Sequence, residues 1–571
     1  MHKYEALKQV FGHSAFRPGQ EALIDALAQG RDVLGIMPTG AGKSVCFQIP
    51  ALMLEGVTLV ISPLISLMKD QVMALIQSGV QAAYINSSLT QSQCSLALER
   101  ARQGQYKIIY VAPERLATGN FLDFAMNARI ALVAVDEAHC VSQWGQDFRP
   151  SYLTIPAFIR SLPKRPPIGA FTATATAQVR LDILRLLELR DPLCGAKGFD
   201  RPNLYFGVRQ PKDKDAALLQ LLQERPGKSG IVYCATRKSV DAVCDLLRRN
   251  GYAAQRYHAG MADRERLEAQ EDFQFDRAQV MAATNAFGMG IDKSNCSFVI
   301  HYNMPKNLES YYQEAGRAGR DGAPADCLML YAKQDVFLAR WMIQNSEGNP
   351  DLDAAQRQKV ARMELERLKQ ITFYAAGKAC LRHTILRYFG EASPEQCGNC
   401  SVCRGESREL AQAAPRLKAI ALSRSGEELV FSALRALRNS IAKDKGIPAY
   451  VVFPDASLRD MALKRPLSKP EFLAVSGVGE HKLAQYGEIF MGFLAKLADE
   501  KDIGALRDTQ YVTKLAYNHC RAFAPWGDAE ARRLKAEAAQ GMSLHAIALA
   551  HDRPEDTVAH KLKELKIKTR F

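Results

Sequence analysis

Between residues 32 and 333 the chain alternates short apolar runs with longer stretches of helical spacing. RDVLGIM, VTLVISPL, KIIYVAP, ALVAV and PIGAFTAT come first. Uninterrupted runs of Val, Ile and Ala of this length predict strands buried on both faces, as in a parallel sheet covered by helices. After GFDRPNLYF (198–206) the alternation restarts with SGIVYCAT, AAQRYHAG, QVMAATNAFGMG, FVIHYNMP and DCLMLYAK, so a second parallel sheet is expected.

From residue 426 the period changes. Val430, Leu434 and Leu437 recur at helical spacing, and FLAVSGVGEHKLAQYGEIFM follows with a glycine hairpin at Gly477–Gly479. In the tail, Gly541 with Ser543 stops one helix and caps the next, and Pro554 begins a third with Val558, Leu562 and Leu565 on one face. The predicted fold class is α/β: two parallel-sheet domains, a helical cysteine-bearing module, then all-α domains. The expected boundaries are 1–198, 199–337, 338–404, a linker at 405–425, a helical domain at 426–503, a connector at 504–524 and a trihelical segment at 525–571.

Charge narrows the partners. The 571 residues carry a net charge of +14, with a pI near 9.1, and this suits a nucleic-acid partner; a generic solubility charge is the plainer alternative. No run approaches the roughly 20 apolar residues of a membrane span, and MHKYEALKQV lacks a signal-peptide core. Thirteen cysteines without a secretion signal point to the reducing cytoplasm.

Candidate chemistry begins at PTGAGKS. A strand, a glycine turn and a helix beginning near Lys43 form a P-loop in which Thr39, Gly40, Gly42, Lys43 and Ser44 would cradle phosphates. Lys43 would reach the β- and γ-phosphates, and Ser44 would hold Mg²⁺. Met37 stands where the strict pattern has glycine. About 90 residues on, DEAH ends an apolar strand: Asp136 would hold Mg²⁺ through water, and Glu137 would polarise the attacking water. The second half has no P-loop but carries QEAGRAGRDG, where Arg317 and Arg320 suit an arginine finger reaching across a cleft. FTATAT (171–176) ends its strand in hydroxyls that either relay nucleotide state or merely pack. Behind DEAH, Trp144, Phe148 and Arg149 crowd a loop; aromatic faces with an arginine suit single-stranded nucleic acid, and local core packing is the alternative.

Residues 380–403 read CLRHTILRYFGEASPEQCGNCSVC. Cys380, Cys397, Cys400 and Cys403 would close a tetrahedral Zn²⁺ site and fix a helix over about 378–389; His383 is an alternative ligand, and free thiols or a disulfide remain open.

FRPGQ, PTGAGKS, DEAH, TATAT and QEAGRAGR, in this order, resemble a superfamily 2 helicase motor, and SQWGQDFRPSY, FDRPN and FGMGIDK narrow the resemblance to the RecQ DNA helicases over residues 1–404. It implies two RecA-like motor domains and an ATP-dependent DNA helicase acting 3′→5′ on single-stranded and forked duplex DNA in repair and recombination, with ATP, Mg²⁺ and Zn²⁺. It also implies that Gln20 and Arg17 read the adenine edge, that His13 stands where the family often stacks a tyrosine, that His139 couples the halves, that Arg320 is the finger, and that Gly290 and Asp292 sit beside the nucleotide or the cleft. Single-strand-binding protein and other repair proteins are further candidate partners, with no membrane, in a nucleoid-associated cytoplasmic setting. The helical segment after 426 resembles the HRDC domain. The tail resembles a Myb-like helix-turn-helix offering His560, Lys561 and Lys563 to DNA, with protein contact the alternative. The family's winged helix, about 80–100 residues long, is not recognisable between Cys403 and residue 426. A DNA-stimulated translocase with weak unwinding is therefore the alternative activity.

Overall fold

The computed structural model describes residues 1–38, 40–144, 148–196, 198–287, 293, 295–345, 354–407, 426–498, 506, 508–523, 526–540, 542–551, 553–565 and 567. The chain divides into two compact units, 1–418 and 419–571.

In the first unit, strands β1 (Val33–Ile36), β2 (Val57–Ile61), β3 (Ala82–Ile85), β4 (Ile108–Val111), β5 (Ile130–Val135), β6 (Ile168–Thr172) and β7 (Leu193–Ala196) form one parallel sheet in the order β3-β4-β2-β5-β6-β1-β7. Alternate residues feed opposite cores. Leu132 and Ala134 of β5 join Phe47, Val60 and Phe171 on one face, while Val133 and Val135 join Ile36, Ile61 and Tyr152 on the other. This two-sided burial is why the strands read as continuous apolar runs rather than alternating ones. A second parallel sheet holds β8 (Leu204–Arg209), β9 (Gly230–Tyr233), β10 (Ala254–Tyr257), β11 (Val280–Ala283), β12 (Phe298–His301) and β13 (Ala325–Leu330), ordered β10-β11-β9-β12-β13-β8.

Helices Lys333–Gln344, Ala354–Ala376 and Leu381–Tyr388 follow, and the last ends within the span expected for the cysteine-bearing helix. The cysteine loop returns to the second sheet, where the Ser401 N–H donates to the Phe206 carbonyl at 2.9 Å.

The second unit is all helical among its described residues. Helix Gly426–Lys445 buries Val430, Leu434 and Leu437, as their spacing predicts. Its Arg438 is buried too, paired with Asp455 at 2.5 Å. Gly477 needs its positive φ of 81°, and a Cβ there would lie 2.6 Å from Ser457 Oγ. The stretch expected as a connector contains helix Thr509–Phe523, whose His519 Nε2 meets the Ile489 carbonyl at 2.8 Å. Helices Asp528–Ala539, Leu544–Ala550 and Glu555–Glu564 enclose their own small core of Leu534, Ile547, Val558 and Leu562. Ser543 Oγ caps the second of these, accepting from the Ala546 N–H, and Gly541 lies outside the described residues.

Candidate nucleotide and nucleic-acid site

Parallel sheets gather functional loops at the carboxyl ends of their strands. Neighbouring β5, β6 and β1 present DEAH, the hydroxyl run and the P-loop side by side. Gly40 and Gly42 take φ of +84° and +81°, which a residue with a side chain adopts only with strain. Gly42 gives way to helix Lys43–Met53, so the free N–H groups of its first turn face the loop. Gln20 is buried beneath the turn: its Nε2 donates to the Ala41 and Gly42 carbonyls, both at 3.1 Å, and its Oε1 accepts the Arg17 N–H at 2.8 Å. Arg17 Nη1 donates to the Gly40 carbonyl. Both side chains thus brace the phosphate loop.

Lys43 Nζ stands 4.0 Å from Glu137 Oε1. Glu137 is held in the left-handed region at φ 47°, strain of the kind found at functional sites. His139 Nδ1 lies 3.3 Å from Glu137 Oε2 and 2.7 Å from Thr172 Oγ1, tying DEAH to the hydroxyl run of β6. Burial, then the charge of Glu137, pushes the Asp136 carboxyl up to about 7. Burial also works against charge on Glu137, but Lys43, His139, Arg317 and Arg320 together hold its carboxyl below the ordinary value.

Those arginines come from the second sheet. They lie in the turn between helix Leu308–Ala315 and β13. A Cβ added at Gly40 would lie 3.4 Å from Arg320 Cγ, so the turn sits directly against the P-loop. Arg317 is buried, and its Nε has no hydrogen-bond partner among the described residues, a donor suited to an anionic oxygen. Lysine, paired acids, glycine cradle and orphaned donor together fit a magnesium–nucleoside triphosphate. Thr39, Gly290 and Asp292 lie outside the described residues.

The aromatic loop divides. Trp144 and Phe148 are half-buried, and Gly145–Asp147 lie outside the described residues. Lys359 Nζ sits 4.7 Å from the centre of the Trp144 ring, and Arg367 donates to the Trp144 carbonyl while its Nε stands 3.5 Å from Glu309. Arg149 Nη1 donates to the Pro63 carbonyl at 2.9 Å. Tyr152, to which the sequence assigned no role, is fully buried and donates through its hydroxyl to the Asp136 carbonyl at 2.8 Å. Its place at the end of SQWGQDFRPSY, sixteen residues after Asp136, was the signal that could have drawn attention to it.

The four thiols of Cys380, Cys397, Cys400 and Cys403 lie within 4.8 Å of one another. Tetrahedral zinc with bonds of about 2.3 Å sets sulfurs at such separations. Backbone N–H groups of Asn399, Cys403 and His383 point at Cys397, Cys400 and Cys380 sulfurs at 3.3, 3.4 and 3.5 Å, which favours thiolates. His383 Nδ1 is engaged by Ser393 Oγ at 2.9 Å, leaving the four sulfurs as the ligand set that fits zinc. Among the described residues no helix is long and apolar enough to cross a membrane.

Family comparisons agree with this geometry. Residues 17–182 match the DEAD/DEAH box helicase family, 213–322 the helicase conserved C-terminal domain, 333–404 the RecQ zinc-binding family and 427–494 the HRDC domain. The chain is 38% identical to the ATP-dependent DNA helicase RecQ of Bacillus subtilis, covering 86% of this chain and 98% of that protein. It is 36% identical to the protein of the same name from Pasteurella multocida, covering 85% and 92%. The matched families imply ATP and Mg²⁺ for the cleft and Zn²⁺ for the thiol cluster.

Proposed function

The chain belongs to the RecQ family of DNA helicases, and we propose that it uses ATP hydrolysis to move 3′→5′ along single-stranded DNA and to part duplexes in repair and recombination. Lys43 neutralises the transferring phosphoryl group. Ser44 and Asp136 would hold Mg²⁺, which supplies positive charge to the β- and γ-oxygens. Glu137 orients and deprotonates the attacking water, and Arg317 and Arg320 meet the charge that develops in transfer. A finger of this kind is worth about 10³–10⁵ in rate. Gln20 and Arg17 set the P-loop and read the adenine edge beside it.

The observation that carries the reading is the position of Glu137. Lys43 and His139 from its own sheet, then Arg317 and Arg320 from the other, offset the burial of this carboxyl and hold it below its ordinary value. Closing the two sheets on the nucleotide brings the arginines to the Glu137 side of the cleft, and opening them withdraws that charge, so hydrolysis and lobe movement are one cycle. Trp144, Phe148 and Arg149 form the strand sensor. Bases stack on the rings, and displacement of the loop reaches the base through Tyr152 and the Asp136 backbone.

Unwinding is favoured over translocation alone because the family match extends through the zinc module and the HRDC domain. Forked and single-stranded DNA are the substrates, with single-strand-binding protein and other repair proteins as partners in a nucleoid-associated cytoplasmic setting. The expected result of Glu137→Gln is retained ATP binding with turnover reduced by about 10² or more, read by nucleotide binding beside steady-state hydrolysis. Near-parental hydrolysis would remove Glu137 from the role.

A further inference from the structure

Residues 199–203, FDRPN, join the two sheets, and the side chains of Arg201 and Asn203 converge on the turn that bears Arg317 and Arg320. Arg201 Nη1 donates to the Gly316 carbonyl at 2.7 Å, and its Nη2 to the carbonyls of Ala318 and Gly319 at 2.9 and 2.5 Å. Asn203 Nδ2 adds bonds to the Gly319 and Ala323 carbonyls, both at 2.9 Å. Gly319 has φ +56°, and a Cβ there would lie 2.6 Å from that Nδ2. Two side chains thus hold the carbonyls of Gly316, Ala318, Gly319 and Ala323 in a turn that has no regular structure of its own.

The segment carrying Arg201 is itself fixed by the zinc module. Arg382 pairs with Asp200 and donates to the carbonyls of Arg201 and Leu204. The rings of Phe199 and Phe389 stack at 4.6 Å and 5°. The Phe199 N–H donates to Glu391 at 2.7 Å, and Tyr312 donates to the Phe199 carbonyl at 2.6 Å. A Cβ on Gly40 would lie 3.5 Å from Arg201 Nη1, so the clamp works at the mouth of the phosphate loop.

We propose that Arg201 is the positioning residue of the arginine pair: its planar guanidinium locks the Gly316–Gly319 backbone, and the zinc module, through Arg382 and Phe389, is the fixed body against which it pulls. This rests on the motor reading above and adds to it the residue that sets finger geometry. A misplacement of about 1 Å at reacting groups costs on the order of 100-fold in rate, so a slack turn should lower kcat while leaving ATP affinity intact. Lysine cannot substitute, because one ammonium on a flexible stem lacks the flat multi-donor fork.

The test compares Arg201→Lys, Arg201→Gln and Asn203→Ala in the full chain, with zinc content and melting temperature recorded. Both Arg201 variants should lose about 10- to 100-fold in DNA-stimulated kcat, with KM for ATP nearly unchanged. ADP should bind as in the parent, and ADP with aluminium fluoride should bind more weakly in proportion to the kcat loss. Asn203→Ala, the milder change, should fall in the same direction with zinc retained. Near-parental kcat in Arg201→Lys would make Arg201 a simple phosphate-facing charge and overturn the proposal. So would a raised KM with unchanged kcat, or parental kcat in all three variants. A parent chain without DNA-stimulated hydrolysis would instead sink the motor reading itself.

Discussion

Asp136 shows how one residue can serve two states. With its carboxyl pushed up to about 7 by burial and by Glu137, it is a poor anion when alone and a good ligand once a cation arrives. The sign follows from linkage. A folded value above the unfolded one means that the relative stabilisation of the protonated form is fully present near pH 4 and is lost as pH rises through 7. Asp136→Asn should therefore raise the melting temperature of the metal-free protein by several degrees at pH 8 and leave it nearly unchanged at pH 4, as differential scanning calorimetry would read. An equal gain at both values would contradict the assigned burial cost. Tyr152 makes the second residue-scale case. Removing its hydroxyl by Tyr152→Phe leaves a buried carbonyl unpaired at about 1–3 kcal/mol and cuts the tie from the aromatic loop to Asp136. The expected outcome is near-parental ATP binding with several-fold weaker stimulation of hydrolysis by single-stranded DNA. Stimulation at the parental level would show that strand occupancy reaches the base by another route.

At the scale of elements, loops do the chemistry because neighbouring strand ends bring them together. P-loop, DEAH and hydroxyl run follow β1, β5 and β6, which are far apart in sequence and adjacent in the sheet. The strands themselves were legible, since burial on both faces leaves an unbroken apolar run. β3, β7 and β8 were not: AAYI and LCGA are four-residue elements at opposite edges of the first sheet whose Ala and Gly give little strand signal, and LYFGVR edges the second sheet directly after the FDRPN link. The cysteine cluster was legible through spacing alone, because Cys-x-x-Cys geometry is local. Its attachment was not. The Ser401 bond to Phe206 places the cluster on β8, beside the segment that bonds the turn carrying Arg317 and Arg320. Zinc removal by chelation, or Cys400→Ala, should therefore release the metal and destabilise the first unit by several kcal/mol. It should also depress hydrolysis beyond what unfolding accounts for at a temperature where the protein stays folded. Metal analysis beside thermal melts and kinetics checks this; full activity after zinc loss would refute it.

At the scale of the whole molecule, the matched modules lie close together along the chain. The alignment with the B. subtilis protein spans 590 positions but takes in 86% of this chain. About a hundred of its positions thus fall opposite no residue here, the length of one small domain. Only residues 405–426 separate the zinc-binding match from the HRDC match. This supports the reading that the winged helix is missing. The trihelical tail, beyond the last family match at 494, is the candidate replacement. It is a built unit, with Arg553 buried between Glu530 and the Trp526 ring and donating to the Arg521 carbonyl of the preceding helix. His560 and Lys563 remain exposed on its third helix. Deleting 525–571 should weaken forked-duplex binding about tenfold while sparing single-strand-stimulated hydrolysis, as fluorescence anisotropy and kinetics would show. Undiminished fork affinity would assign the tail to protein contact instead.

What this sequence determined by itself was everything carried by short-range spacing: the phosphate turn, the paired acids, the arginines three apart, the thiol quartet and the two-period switch from sheet to helix. Local backbone geometry sets those, and neighbours along the chain suffice to specify it. What only the tertiary structure decided was which distant groups share a charge or a carbonyl. Glu137 is held below its ordinary value by Lys43 and His139 and, more weakly, by arginines about 180 positions away, Tyr152 braces Asp136, Arg438 finds Asp455 inside a helical core, and Arg201 pins a turn more than a hundred residues downstream. Such pairings depend on how sheets and helices stack in space, and periodicity along one strand of chain holds no record of that.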